Sequence, residues 1–261
     1  MIWGFVGTGT ITEAIVTGMM SSGLDVSRVV VSPRNAAVAA RLAARYPKVQ
    51  IAKDNQQVVD IADVVILAVR PQIARDAISD LDIPKGKRIV SLIAGSNHRL
   101  LQEWTGLDER NITRAIPLPF VANRTGVTAI FPADPIAETL FSALGDAVAC
   151  RSEEEYDLIG SASCLMGTYF GLLERAQDWL VGKGLEPGIA RSYLLPLFGS
   201  LADAAIASPA TSFMELRREF STPGGLNEQV FRDFDETGAT KVLHHALDRV
   251  LSRIRAEPFQ G

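Results

Sequence analysis

The sequence predicts an α/β fold in which a doubly wound, mostly parallel sheet is followed by an all-helical region. Short apolar runs alternate with helical patterns up to about residue 150, and the pattern from there to the end is helical throughout. We therefore place a domain boundary between residues 150 and 151, which gives one domain over 1–150 and another over 151–261.

A glycine turn joins the first apolar run to the first helix. Gly7 and Gly9 form the turn, and Thr10 and Ile11 open the helix. In a Rossmann unit the first glycine permits the tight turn, the second lets the backbone approach a pyrophosphate, and the helix N-terminus binds the anion. Thr12 stands where that fingerprint has a third glycine or alanine. The turn favours a dinucleotide cofactor, with a turn that binds no ligand as the alternative.

The end of the second apolar run favours NADP(H) over NAD(H). Residues 28–31 lead into Ser32, Pro33 and Arg34, where a unit that prefers NAD has an acidic residue for the ribose 2′-hydroxyl. A hydroxyl and a guanidinium can bind a 2′-phosphate, and no carboxylate is present to repel it. A solvated turn that only caps the next helix is the alternative.

Later apolar runs predict further strands of the same sheet, over residues 62–71, 88–95, 111–117, 126–131 and 146–150. Ligands of such sheets lie outside the carboxyl ends of the strands. We therefore expect one cofactor crevice to be lined by the residues that end or follow these runs: Val69, Arg70, Pro71, Ala94, Gly95 and Pro117.

The second half predicts four helices, over residues 153–183, 188–207, 211–220 and 239–255. Two of them, 188–207 and 239–255, carry apolar stripes that so small a bundle cannot easily cover. We expect these stripes to be buried against a second copy of the chain, as a homodimer or higher homo-oligomer.

Composition and charge argue against several classes. A net charge of −4 with no basic run argues against nucleic acid as a partner. The chain shows neither a secretory signal nor a long uncharged apolar segment, so we expect a cytoplasmic protein that does not bind a membrane. Cys150 and Cys164 lack the spacing of a metal cluster, and no metal is expected. His98 follows a glycine turn, where a surface position is expected.

Several segments taken together resemble the pyrroline-5-carboxylate reductase family. In chain order they are residues 7–9 with 13–14, 65–72, 93–95, 114–117, 126–128 and 221–225. The resemblance implies an NADPH-binding Rossmann domain and an all-helical C-terminal domain that interlocks with its partner in a dimer. It also implies reduction of a cyclic imine that carries a carboxylate, as in proline biosynthesis.

This chain departs from the family pattern where the substrate is expected. Leu118 and Phe120 stand where the family has an asparagine and a proline, and Leu226 and Asn227 stand where it has two threonines. Those threonines help to hold the substrate carboxylate. We therefore expect a bulkier or less polar substrate and weak activity on pyrroline-5-carboxylate. A carboxylate could still be held by the backbone N–H groups of the turn that opens the next helix: Gly224, Gly225 and Leu226.

Hydride transfer to an iminium carbon needs position and a dry crevice more than a strong acid. The predicted crevice contains no obvious lysine or histidine. The polar groups that we expect nearest the reacting atoms are Asn227, Thr222 and Tyr169, with Glu174 as a further substrate contact. A place in the core is the alternative for Tyr169, and an exposed carboxylate is the alternative for Glu174.

Two other function classes stay open. A β-hydroxyacid or other carbonyl dehydrogenase normally has a catalytic lysine in its helical domain, whereas Lys183 lies between two glycines and is expected at a solvated helix end. A non-catalytic NADP(H)-binding sensor is compatible with the loss of polar groups at the substrate motifs.

Overall fold

The computed structural model describes residues 1–256, which divide into two compact units. The first unit contains Met1–Ser161 together with the described residues from Leu251 onward. The second unit contains Ala162–Val250. The domain boundary predicted between residues 150 and 151 lies where the sheet ends, one helix before this division.

Within the described residues, the first unit is built on an eight-stranded sheet. Its strands are β1 Ile2–Val6, β2 Arg28–Val31, β3 Val49–Ile51, β4 Val64–Leu67, β5 Arg88–Ser91, β6 Ile112–Ile116, β7 Val127–Phe131 and β8 Asp146–Ala149. Their order is β3-β2-β1-β4-β5-β6-β7-β8, and all neighbours pair in parallel except β6 with β7. The chain order reverses between β1 and β4, which creates the switch point at which doubly wound sheets bind ligands.

Helices cover both faces of this sheet. They are α1 Thr10–Ser21, α2 Ala36–Arg45, α3 Asn55–Ile61, α4 Ala74–Ile78, α5 His98–Thr105, α6 Pro135–Ser142 and α7 Glu153–Ala162. Neighbouring residues of β1 face opposite sides, so Phe5 is buried in one apolar cluster and Val6 in the other. Short polar side chains cap several helices; Asn35 caps α2 and Asp134 caps α6.

A buried ionic cluster fixes α7 to the sheet. The guanidinium of Arg114 on β6 donates to the Glu153 carboxylate at 2.5 Å and lies 3.5 Å from the Asp157 carboxylate. Its Cζ atom also lies 4.4 Å from the centroid of the Tyr156 ring. Burial raises the pKa of Asp157, and the charge of Arg114 opposes that rise. The ion pairs and the contact with the Tyr156 ring therefore hold α7 against β6.

The second unit is helical, so the predicted fold class is confirmed. Its helices are α8 Leu165–Gly182, α9 Pro187–Ala207, α10 Phe213–Glu219, α11 Leu226–Glu236 and α12 Ala239–Arg255, whose last residues belong to the first unit. The single helix predicted over 153–183 is wrong, because α7 ends at Ala162 before α8 begins. The Ser161 hydroxyl donates to the Asp157 carbonyl at 3.0 Å, a bond to the preceding turn of the kind that slightly destabilises and often bends helices. The four predicted helix ranges do not include α11, although a helix was expected to open after the turn at Gly224 and Gly225.

The helices of the second unit leave much apolar surface exposed in one chain. Across residues 162–250 the buried residues are Leu173, Ala190 and Leu194. By contrast, Ile206 is 76% exposed and Phe213 is 83% exposed. Apolar surface of this extent is typical of a protein–protein interface.

None of the helices described in residues 1–256 has the length and apolar character needed to cross a bilayer. Over the same residues, histidine, cysteine and acidic side chains do not gather into groups of three or more suited to a metal ion.

Candidate active site

The glycine turn after β1 has the backbone shape that the sequence predicts. Gly7 has φ +103°, and a Cβ atom there would lie 2.4 Å from the Ala68 carbonyl oxygen, so only glycine fits beside the end of β4. A Cβ atom at Gly9 would meet nothing within 4 Å. Open space therefore adjoins the second glycine, at the start of α1.

The N-terminus of α1 faces this space with unused donors. Gly9 is its N-cap residue and makes no side-chain cap, and the first helical bond runs from the Glu13 N–H to the Gly9 carbonyl at 3.0 Å. The N–H groups of Thr10 and Ile11 have no acceptor inside the helix. Open space and free donors fit a pyrophosphate, so this turn could hold a dinucleotide.

Three buried hydroxyls hold the turn from behind. The Gly7 N–H donates to Ser32 Oγ at 3.0 Å, and Thr12 Oγ1 donates to the Gly7 carbonyl at 2.7 Å. Thr8 Oγ1 donates to the Ser32 carbonyl at 2.6 Å and lies 3.1 Å from Ser32 Oγ. Ser32 has no exposed surface. In this conformation its hydroxyl shapes the turn and cannot touch a ligand, in contrast to the direct 2′-phosphate contact predicted for it.

Arg34 remains as the cation at the end of β2. It is exposed, and among the described residues its guanidinium makes no hydrogen bond or ion pair. The neighbouring Asn35 caps α2 by accepting the Val38 N–H at 3.4 Å. Arg34 is therefore free to bind an anion near the carboxyl ends of β2 and β1.

The structure brings the other predicted cofactor residues to one edge of the sheet. They follow the carboxyl ends of three adjacent parallel strands, β4, β5 and β6. This set comprises Val69, Arg70, Pro71, Ala94, Gly95 and Pro117.

Leu118 and Phe120 follow at the same edge. Pro119–Asn123 form a 3₁₀ turn, and Phe120 is 44% exposed. The Phe120 side chain packs beside Gly126, where an added Cβ would lie 3.2 Å away. Leu118 and Phe120 therefore place apolar side chains at this turn.

The turn before α11 holds the predicted carboxylate-binding residues of the second unit. Gly224 has φ +71° and Gly225 is the N-cap of α11. The Gly224 N–H donates to Glu228 Oε2 at 2.6 Å, and the Gly225 N–H donates to the Thr222 carbonyl at 2.8 Å. Two of the three predicted donors are therefore already used within the chain.

Asn227 lies on the first turn of α11, where its Nδ2 donates to the Phe220 carbonyl at 2.7 Å. Because a carbonyl only accepts, the Asn227 Oδ1 atom stays available as an acceptor. Tyr169 and Glu174 lie on α8. Tyr169 is 41% exposed and meets the Phe198 ring edge-on at 6.2 Å, and Glu174 is an exposed carboxylate 3.8 Å from Arg175.

His98 is buried, so the surface position expected for it is wrong. It begins α5 and is 6% exposed, with Nε2 3.2 Å from the Ile112 carbonyl and the ring edge-on to Phe131 at 5.4 Å. Burial lowers the pKa of His98. Asn97 caps α5 by accepting the Leu100 N–H at 3.0 Å, whereas the burial of His98 comes from its contacts with Ile112 and Phe131, which are distant in the chain and give no sequence spacing.

The open glycine turn at the switch point of a doubly wound sheet defines the class of Rossmann-type, dinucleotide-binding proteins. Comparison with known proteins agrees. The family model described as "NADP oxidoreductase coenzyme F420-dependent" matches residues 2–95, and "Pyrroline-5-carboxylate reductase dimerisation" matches residues 153–257. The chain is thus similar to pyrroline-5-carboxylate reductases, and its helical half matches their dimerisation domain.

Individual relatives span nearly the whole chain. The pyrroline-5-carboxylate reductase of Pseudomonas aeruginosa is 27% identical over 95% of this chain and 94% of its own length. The structure of the enzyme from Streptococcus pyogenes has a TM-score of 0.85, with 19% identity over 98% of both chains. The Plasmodium falciparum enzyme, solved with NADP bound, has a TM-score of 0.82, with 15% identity over 97% of this chain and 98% of that one.

Proposed function

We propose that this protein reduces the C=N bond of a cyclic imine or imino acid with NADPH. The observation that carries the proposal is the open glycine turn, in which Gly9 leaves room for a pyrophosphate beside the free N–H groups of α1. Similarity to pyrroline-5-carboxylate reductases over nearly the whole chain supports it. When bound, NADPH supplies the hydride that the imine carbon accepts.

The preference for NADPH over NADH rests on Arg34. Its free, exposed guanidinium stands at the end of β2, where a 2′-phosphate would bind through charge-assisted hydrogen bonds. The NADP found in the Plasmodium falciparum relative is compatible with this choice. Ser32 acts indirectly, because its hydroxyl fixes Gly7.

Asn227 orients the reacting nitrogen. With its Nδ2 held by the Phe220 carbonyl, it presents Oδ1, an acceptor that suits the N–H of a protonated imine. Thr222, Tyr169 and Glu174 are the further substrate contacts of the helical half. We expect Asn227→Ala to lower kcat about tenfold or more and to leave the Kd of NADPH unchanged, measured by stopped-flow turnover and fluorescence titration. An unchanged kcat would remove Asn227 from this role.

The substrate is bulkier or less polar than pyrroline-5-carboxylate around residues 118–120. Leu118 and Phe120 offer apolar surface, and burying an unpaired polar group against them would cost about 1–3 kcal/mol. Activity on pyrroline-5-carboxylate is accordingly weaker than on a larger or less polar imine.

The active form is a cytoplasmic homodimer or higher homo-oligomer in which the apolar faces of the helical half are covered by a second copy. Residues 1–150 bind the cofactor, and residues 151–261 serve the substrate and assembly. Sedimentation at low micromolar concentration measures the assembly, and a stably folded monomer would contradict it.

The test of the reaction is a substrate screen that follows the absorbance of NADPH. It includes cyclic imines, imino acids and β-keto acids, each with purified protein. Oxidation of NADPH by imines alone supports the proposal. Oxidation by a β-keto acid would assign a carbonyl dehydrogenase, and tight NADPH binding with no turnover would assign a non-catalytic sensor.

A further inference from the structure

Arg114 is a buried cation held by three residues of one helix. It lies on β6 and is 4% exposed. Its guanidinium donates to the Glu153 carboxylate at 2.5 Å, and its other terminal nitrogen lies 3.5 Å from the Asp157 carboxylate. The centroid of the Tyr156 ring lies 4.4 Å from its Cζ atom. Because the guanidinium is planar and rigid, these contacts fix β6 against α7 in both position and angle.

A close apolar contact follows at the end of the same strand. Arg114 and Ile116 lie on one face of β6, because side chains alternate along a strand. A Cβ atom added at Gly160 on α7 would lie 3.3 Å from the Cδ1 atom of Ile116, so the helix backbone approaches this side chain closely. The position of the last residues of β6 is therefore set by α7, through ion pairs and through a glycine contact.

The segment that follows β6 is stiff and is held at its far end as well. Pro117 and Pro119 each fix their own φ, and Leu118 between them is extended, with φ −101° and ψ 159°. A Cβ atom added at Gly18 on α1 would lie 2.2 Å from the Val121 carbonyl oxygen, so the backbone of the 3₁₀ turn packs directly on α1. The path of this segment is therefore set by β6 at one end and by α1 at the other.

We propose that Arg114 is a positioning residue for hydride transfer, which fixes the segment of Pro117 and Leu118 by locking the end of β6 to α7. The inference rests on the proposed imine reduction, for which this segment is expected to contact both cofactor and substrate. The phosphates of NADPH are assigned to other groups, at α1 and Arg34. Loosening β6 therefore slows the hydride step, by up to about a hundredfold for a displacement of about 1 Å, and leaves the affinity for NADPH unchanged.

The test measures the hydride step itself, for each bound NADPH. Protein in excess over NADPH is mixed in a stopped-flow instrument with saturating pyrroline-5-carboxylate or 1-pyrroline, and the first-order rate of loss of the nicotinamide absorbance is recorded. Unfolded protein binds no NADPH and does not contribute to this rate. A purely structural role for Arg114 would lower the concentration of folded protein and leave the rate unchanged.

Three variants loosen the contact between β6 and α7 by different amounts. Arg114→Lys keeps the charge but loses the fork that reaches two carboxylates, and Glu153→Gln removes one ion pair. Gly160→Ala presses a methyl group against Ile116. We expect the hydride rate to fall about tenfold with Arg114→Lys and about threefold with the other two, with the Kd of NADPH within about twofold of wild type. If Arg114→Lys does not fold, the other two variants decide the question.

Two control variants separate positioning from charge and from stability. Arg151→Gln removes an exposed ion pair with Glu155 on the same helix α7. Leu42→Ala leaves an apolar cavity under α2, which packs against α1 and β3, and lowers the stability of the fold. Both controls should keep the wild-type hydride rate. A fall in either control equal to that of Arg114→Lys would overturn the role of Arg114.

The two imines distinguish positioning from direct binding. They share one ring and differ by the carboxylate, so a positioning role lowers the hydride rate by the same factor with both. A loss confined to pyrroline-5-carboxylate would make Arg114 a carboxylate ligand and overturn the positioning role. Unchanged rates in the variants would also overturn it, and imine reduction would stand. If neither imine oxidises NADPH bound to the wild-type protein, imine reduction itself is overturned and the inference falls with it.

Discussion

Two glycine turns open helices in this protein, and the side chains around them contact the glycines in different ways. At α1, buried hydroxyls of Ser32 and Thr12 hold Gly7 from behind and leave the helix N-terminus open. At α11, Glu228 reaches back and accepts a hydrogen bond from the Gly224 N–H. A glycine motif specifies a backbone shape, and the side chains around it decide which of its N–H groups stay free.

The largest expected effect separates the two glycines of the open turn. Gly7→Ala should lower the free energy of unfolding by about 2–4 kcal/mol, because its Cβ would lie 2.4 Å from the Ala68 carbonyl oxygen at a positive φ. Gly9→Ala should change it by less than about 1 kcal/mol and yet weaken NADPH and NADH binding about tenfold to a hundredfold, since its methyl group fills the open space. Urea unfolding and cofactor titration measure the two effects. If Gly9→Ala binds NADPH and NADH with wild-type affinity, the turn is not the pyrophosphate site.

Arg34→Ala tests the contact with the 2′-phosphate of the cofactor rather than the shape of the turn. Loss of charge-assisted bonds to a 2′-phosphate should weaken NADPH binding about tenfold to a hundredfold and leave NADH binding unchanged. Titration of both cofactors into the variant and the wild type decides it. Equal losses for NADPH and NADH would place Arg34 away from the 2′-phosphate.

Thr12→Val tests the hydroxyls behind the turn. Removing the donor to the Gly7 carbonyl while keeping the side-chain volume should weaken NADPH and NADH equally, by about threefold to tenfold, because both share the pyrophosphate. Thr12→Ser keeps the hydroxyl and should restore both affinities. A loss confined to NADPH would contradict this role, as would a Thr12→Ser variant as weak as Thr12→Val.

The smallest expected effect is on the pH dependence of stability. It concerns His98, the first residue of α5, whose N-terminus is capped by Asn97. Burial lowers the pKa of His98 in the folded state, so between that pKa and the unfolded value of about 6.5 the unfolded chain binds more protons. Stability should therefore fall as the pH drops below about 6.5. His98→Gln should remove this part of the loss, as measured by urea unfolding on both sides of that pH. His245→Gln, exposed on α12, is the control, and an unchanged pH profile in His98→Gln would contradict the assignment.

Local sequence predicted the open turn and most of the sheet because both depend on neighbours in the chain. A pattern of a few neighbouring residues is enough to predict the turn at Gly7 and Gly9 and the strand β4. The strand β3 has three residues, too few to show a periodicity, and was not predicted. The range of α11 was also not predicted, although a helix was expected to open at Gly224 and Gly225, because α11 exposes Val230 and Phe234 along with its charged residues and shows no buried stripe within one chain.

The side-chain roles that could not be predicted from the sequence depend on contacts with residues that are distant in the chain or that precede the helix. Ser32 lies at the end of β2 as predicted, yet its hydroxyl bonds Gly7, which is distant in the chain. Glu228 resembles an ordinary acidic residue in a first helical turn, and its bond to Gly224 emerges only from the backbone geometry. The sequence therefore located both turns, and the structure shows which side chains contact them.

Single-turnover oxidation of bound NADPH measures whether the open turn binds NADPH for imine reduction. Protein loaded with one equivalent of NADPH is mixed with excess 1-pyrroline, and the nicotinamide absorbance is followed. We predict that the bound NADPH is oxidised in one phase, that no oxidation occurs without imine, and that Gly9→Ala, which binds NADPH more weakly, oxidises much less under the same conditions. Bound NADPH that no cyclic imine oxidises would contradict it.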